Sequence, residues 1–163
     1  KRSFVTESTI TDVEDAFELR AMLEAYAARR AAKRVTEPQI AEMRDLNANI
    51  EAAVMAKKPD IPAFLENNRL FHAAVLAAAA SERLANMLAS VIEQPVVLRT
   101  AQRYDRENLI RACREHVELI SAFEARDPEW AAAVMTGHIR RALYAYIDAS
   151  ESEDKIHSAT MAA

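Results

Sequence analysis

Apolar side chains recur along this chain every three to four residues, the period at which a helix lines one face with core-facing groups. A first helix is expected from Thr11, which forms a capping-box pattern with Glu14, through Phe17 and Leu23 to about Lys33. Thr36, Pro38 and Gln39 open a second, whose stripe is Ile40, Met43, Leu46 and Ile50. Lys57-Lys58-Pro59 ends it, and Asp60 with Pro62 starts a third carrying Ile61, Phe64, Leu65, Val75, Leu76 and Ala79. Ser81 begins a fourth with Leu84, Met87, Leu88 and Val91, which Pro95 should kink or end. Residues 99–107 read as a loop or a continued kinked helix. A fifth helix is expected from Arg106 to Ala125, with Leu109, Cys113, Val117, Ile120 and Phe123 inward. A sixth, after Asp127-Pro128, should reach about Ser150, with Trp130, Val134, Ala142 and Ala145 inward. The pattern divides the chain into a polar linker (1–10), one helical domain (11–150) and a disordered tail (151–163). The expected fold is all-α, a single antiparallel bundle of about six to seven helices.

Several polar residues fall on these apolar stripes. Asn68 and His72 stand one turn apart on the third, His116 lies in the stripe of the fifth, and His138 in that of the sixth. A buried polar group without a partner destabilises the fold by about 1–3 kcal/mol, so each should meet something. One such histidine is most simply a hydrogen-bonded core residue. Three on three different helices fit a convergent metal site, and neutral imidazole suits zinc, nickel, copper or iron. Arg20 continues the line of Val13 and Phe17; it either pairs with Glu24 or offers its fork to a carboxylate ligand. Gly137, the only glycine, sits mid-helix beside His138, where close packing or ligand approach would explain it. Cys113 reads as a small core residue rather than a ligand.

Composition narrows the class. Of 163 residues 51% are apolar and five are proline, which leaves little turn chemistry for hairpins. A net charge of −4 argues against this chain itself gripping a nucleic-acid backbone. One cysteine excludes an internal disulfide framework and suits a reducing compartment. Neither a signal peptide nor an apolar run long enough to span a membrane is visible, so a cytoplasmic location is expected.

The phrase Glu18-Leu19-Arg20-Ala21-Met22-Leu23-Glu24 and the alanine-rich run after it resemble the start of FadR-like C-terminal (FCD) domains of GntR-family transcription regulators. The likeness continues through Asn68-Arg69-Leu70-Phe71-His72, Glu115-His116-Val117-Glu118-Leu119-Ile120, Arg126-Asp127-Pro128 and Gly137-His138-Ile139. The resemblance implies a helical bundle around a polar cavity in which an aspartate and three histidines hold a divalent metal, with zinc first among the candidates. A small carboxylate effector would bind at or beside that metal, or, in a cavity without a metal, would be hydrogen-bonded by the histidines directly. His72, His116 and His138 match the histidines, and Arg20 an arginine facing the effector. Asn68 stands where the aspartate is usual; its amide can still ligate but is neutral, so no protein carboxylate is expected to offset the metal's charge. The resemblance further implies a homodimer, and operator DNA read by a preceding winged helix-turn-helix domain. A weak hint of the dimer surface is the apolar group Val91, Ile92, Val96, Val97 and Leu98.

The rival reading is a helical-bundle metalloenzyme in which three histidines activate water. Glu115 and Glu118 flank His116 off the expected buried line and make poor general bases. The residues three before the histidines, Arg69, Cys113 and Met135, are not the glutamates of a di-iron bundle. A purely structural bundle is the third reading.

Overall fold

The computed structural model describes residues 10–92, 97, 100–102 and 104–161, with side chains described between 11 and 148. Its continuously described helices are α1 (Ile10–Ala32), α2 (Glu37–Met55), α3 (Ile61–Ala79), α4 (Glu82–Val91), α5 (Arg106–Glu124) and α6 (Pro128–Met161), and residues 97 and 100–102 are helical as well. No strand occurs among the described residues. Pro95 and the linker 1–9 lie outside them.

Capping chemistry sets most helix starts. Thr36 and Gln39 form the expected reciprocal box, with Pro38 in the first turn of α2. Asp60, Ser81 and Asp105 each accept from the backbone N–H three residues on, at 3.0, 3.3 and 2.7 Å. α1 has already begun by Ile10, so Thr11 sits inside the helix rather than capping it. α3 ends on Ala80 with φ 49°, a left-handed turn usually given to glycine. Arg30 braces that end by donating to the Ala79 and Ala80 carbonyls at 3.0 and 3.3 Å.

α1 is the organising helix. It packs along α6 in the opposite direction, as the pairs Arg29–Glu129 and Arg140–Glu18 show. Against α3 it runs parallel, because Glu24 meets His72 and Arg30 meets Ala79. α2 lies between α3 and α5, antiparallel to α5 through Arg44–Glu124 and Arg106 on the Val54 carbonyl. The core is centred on Phe71, Phe123, Ile40, Met43, Leu119 and Met135, all fully buried. Each large apolar side chain so buried contributes roughly 1.5–3 kcal/mol. A smaller apolar group, built on Ala27, Ala79, Leu84 and Leu88, sits apart under α4.

Two stripes are rotated from expectation. Val117 is 55% exposed and Trp130 38% exposed, while Ala112, Leu119, Ala122, Ala131, Ala132, Met135 and Ile139 are buried. Large apolar groups mark a stripe clearly, whereas alanine is neutral as a signal. Here alanines fill the interfaces because they let helix backbones approach closely. On α2, Asn47 takes the buried position and Leu46 only packs on its margin. The tail expected to be disordered from Glu151 continues α6 as helix to Met161, consistent with a stretch free of Gly and Pro.

Candidate metal and ligand site

The three bundle histidines converge. His72 on α3, His116 on α5 and His138 on α6 bring one ring nitrogen each to within 4.8 Å of the others. The Nε2 atoms of His72 and His138 are 3.2 Å apart. His116 is fully buried, its ring stacked on Phe71 at 3.9 Å and 11°. α1 and α2 add Glu24 and Asn47 behind the rings of His72 and His116, so five helices build one centre.

Those groups fix which nitrogen carries the proton. Asn47 donates its amide Nδ2 to the Cys113 carbonyl at 3.2 Å, which turns its oxygen to His116 Nδ1 at 3.1 Å. An amide oxygen only accepts, so Nδ1 of His116 is the N–H and Nε2 is a bare lone pair. His138 Nδ1 faces Glu115 Oε2 at 2.7 Å, and His72 Nδ1 faces Glu24 Oε2. Ionised carboxylates accept too, so the neutral form of each ring carries its proton on Nδ1 and turns Nε2 inward as a lone pair. Two lone pairs 3.2 Å apart repel unless a positive charge joins them. A proton shared by His72 and His138 would satisfy that pair and still leave His116 Nε2, which is buried and has no hydrogen-bond partner. A metal ion satisfies all three, and a histidine whose other nitrogen is held by a carboxylate or amide is the usual form of a metal-ligating imidazole. The donor set therefore fits a divalent transition metal.

Both carboxylates are themselves held by arginine. Arg20 Nε donates to Glu24 Oε1 at 2.5 Å, and Arg141 pairs with Glu115 Oε1. Two Arg–Glu–His chains thus lead to the centre, Arg20–Glu24–His72 and Arg141–Glu115–His138. Burial works against the charge on Glu24, but the Arg20 guanidinium and the His72 ring outweigh it, leaving the carboxyl well below the usual carboxylate range. Burial pushes His116 well below its ordinary value, and the neighbouring rings add to this. Burial also lowers His138, opposed by Glu115.

These contacts correct two expectations. Glu115 is buried against His138, not off the inward face. Glu24 and Glu115 also place carboxylates one ring away from the histidine centre, so charge compensation does not depend on Asn68. Glu118 is exposed and takes the Trp130 indole N–H at 3.0 Å. Neither buried glutamate is a free base, since histidine and arginine engage both oxygens of each.

Arg20 realises the ion pair with Glu24, and it also lines the cavities beside the histidines. Asn68 is half-buried, with no hydrogen-bond partner for its amide among the described residues. It shares a small cavity with Arg20, Tyr104 and His138, and borders a larger one of about 1130 Å³ with Arg20, Glu24 and His72. Cys113 lies outside the cluster; its thiol donates to the Leu109 carbonyl, and burial pushes it up to about 11. Gly137 has no tight neighbour: an added Cβ would meet only the Arg141 guanidinium, at 3.6 Å, so close packing does not explain it. Sequence reading missed Asn47 as a site residue. Its signal was the exact helical run 40–43–47–50–54, which includes Asn47 and leaves out Leu46.

The family model of the FCD domain matches residues 15–141. The chain belongs to the FCD domain family. Its likeness to the C-terminal domains of GntR-family regulators is thereby upheld. A curated relative, named HTH-type transcriptional regulator RmpR, of Mycobacterium gastri, is 28% identical over 152 residues. The match takes in 90% of this chain and 53% of that protein, so the chain spans about half the relative's length. Among solved structures, E. coli McbR/YncC superposes with a TM-score of 0.78 at 18% identity, covering 88% of this chain and 68% of that one, a likeness of fold. Streptococcus agalactiae GntR superposes at 0.65 with 26% identity, over 86% of this chain and 62% of that one. No helix among the described residues is long and apolar enough to cross a membrane.

Proposed function

We propose that this chain is the effector-sensing and dimerisation domain of a transcription regulator, and that it binds a small carboxylate beside a divalent metal. The observation that carries the reading is the convergence of three histidine rings, two of them buried, each fixed from behind by Glu24, Asn47 or Glu115. His72, His116 and His138 would hold the ion, with zinc first and nickel or another transition metal next. When bound, the metal supplies Lewis-acid attraction for an acid's oxygen. Arg20 spends only its Nε on Glu24, which leaves its terminal nitrogens for the ligand. Asn68 adds an uncommitted amide with an oxygen for a metal and N–H groups for an acid.

An acid bound there touches α1 and α3 at once, and the same two helices contact α6 and α2. Effector binding would favour one arrangement of the dimer, and with it one spacing of attached DNA-reading domains, by the difference in its affinity for the two states. The relative's name as an HTH-type regulator supports this, with DNA contact assigned to a domain other than this acidic one. Of the apolar residues first suggested for the dimer surface, Val96 and Leu98 lie outside the described residues, while Ile92 and Val97 line the cavity. The domain is read as non-catalytic, because its buried carboxylates are committed to histidine and arginine.

Elemental analysis of the purified domain, followed by calorimetry with small carboxylates before and after chelation, tests the reading. About one metal per chain and acid binding that weakens on chelation are expected. A metal-free protein that gains no stability from added zinc would overturn the metal, and acid binding indifferent to chelation would overturn its role in sensing.

A further inference from the structure

The wall of the large cavity constrains the rest of the acid. Because α1 and α3 run parallel, they can be followed together from the polar band toward their C-terminal ends. Arg20 and Glu24 on α1 stand level with Asn68 and His72 on α3. One turn further the lining becomes apolar, with Ala27 on one helix and Leu76 on the other. α4 and its C-cap cover this arm with Ala85, Leu88, Ala89 and Ile92, and none of the polar residues of α4 faces it. The arm ends on the small apolar cluster that is separate from the main core.

Such a wall selects by what it leaves unpaired. In this arm hydroxyl groups of a sugar acid would lose water and find no protein partner, and a second carboxylate would find no cation, since the charged lining of the cavity, Lys58, Asp60, Glu66 and Arg69, precedes His72 along the chain while the arm follows it. An alkyl chain loses nothing and removes apolar surface from water.

Resting on the carboxylate reading above, we infer that the effector is a monocarboxylic acid with an aliphatic body. Its carboxylate sits among Arg20, Asn68 and the histidines, and its chain lies along Leu76 beneath α4. Specificity for chain length then resides in Ala27, Leu76, Ala85 and Leu88, none of which touches the histidine centre through a hydrogen bond.

Calorimetry on the zinc-loaded domain tests this with acetate, butanoate, hexanoate and octanoate, and with succinate and gluconate as comparators. Each methylene that enters the arm should tighten Kd about two- to fourfold, until the arm is full. Ala85→Phe fills the arm from α4; it should stop the gain at a shorter acid, so that octanoate loses more affinity than butanoate. Should that variant fail to fold, the series on the unaltered domain decides alone. A flat series, or gluconate or succinate binding more tightly than hexanoate, overturns the aliphatic body and leaves the carboxylate site standing. No binding by any of the acids overturns both.

Discussion

Replacing Asn47 by leucine tests the tautomer logic of the centre with least change in shape. Asn47 is 5% exposed and makes two bonds, to the Cys113 carbonyl at 3.2 Å and to His116 Nδ1 at 3.1 Å. Leucine removes both; the Cys113 carbonyl keeps its helical bond within α5, but a buried ring N–H is left unpaired, at about 1–3 kcal/mol. The His116 proton is then free to move to Nε2, where it abolishes the lone pair that faces His72 and His138. Loss of such an orienting partner typically weakens metal affinity about 10- to 100-fold. At a fixed free-zinc level well above Kd, the stabilisation by zinc should shrink by about 1.4–2.8 kcal/mol. Urea unfolding of the metal-free and zinc-loaded forms separates the two effects, and competition with a chromophoric chelator gives the affinity directly. Nitrogen NMR of His116 reports the tautomer itself. A folded N47L domain with native zinc affinity and His116 still protonated at Nδ1 would refute the reasoning.

Two further outcomes follow from the same geometry. Gly137→Ala should stabilise the domain by about 1 kcal/mol, because an added Cβ meets only a flexible guanidinium and glycine is a poor mid-helix residue; a destabilised variant in thermal melts would show that the glycine is needed after all. Acidification should destabilise the metal-free domain. Burial lowers His116 in the folded state, so below about pH 6.5 the unfolded chain binds the proton first and stability falls as pH drops, by up to about 1.4 kcal/mol per pH unit for that ring. Glu24, held low in the folded state, adds a loss in the same direction once the pH falls below its unfolded value near 4.5. A urea midpoint that rises between about pH 7 and pH 5.5 would contradict the assignment of His116 as a buried neutral ring.

The sequence alone determined the helical class, most helix starts and the four polar residues to watch. Helical period is a local property, and the caps at Thr36, Asp60 and Ser81 involve residues only three apart. Asn68 and the three histidines stood out because polar groups on apolar stripes violate that period. It could not say that Glu24, Asn47 and Glu115 stand behind the histidines, since those pairs are separated by 48, 69 and 23 positions. Nor could it place Val117 and Trp130 outside, because alanine gives the pattern no contrast and neighbouring helices decide which side of a wide stripe is covered. Packing of α1 parallel to α3 and of α6 against both α1 and α5 made those choices. The identity of the ligating atoms is therefore local chemistry, while their aim and their protonation are set by distant partners that only the folded bundle brings within reach.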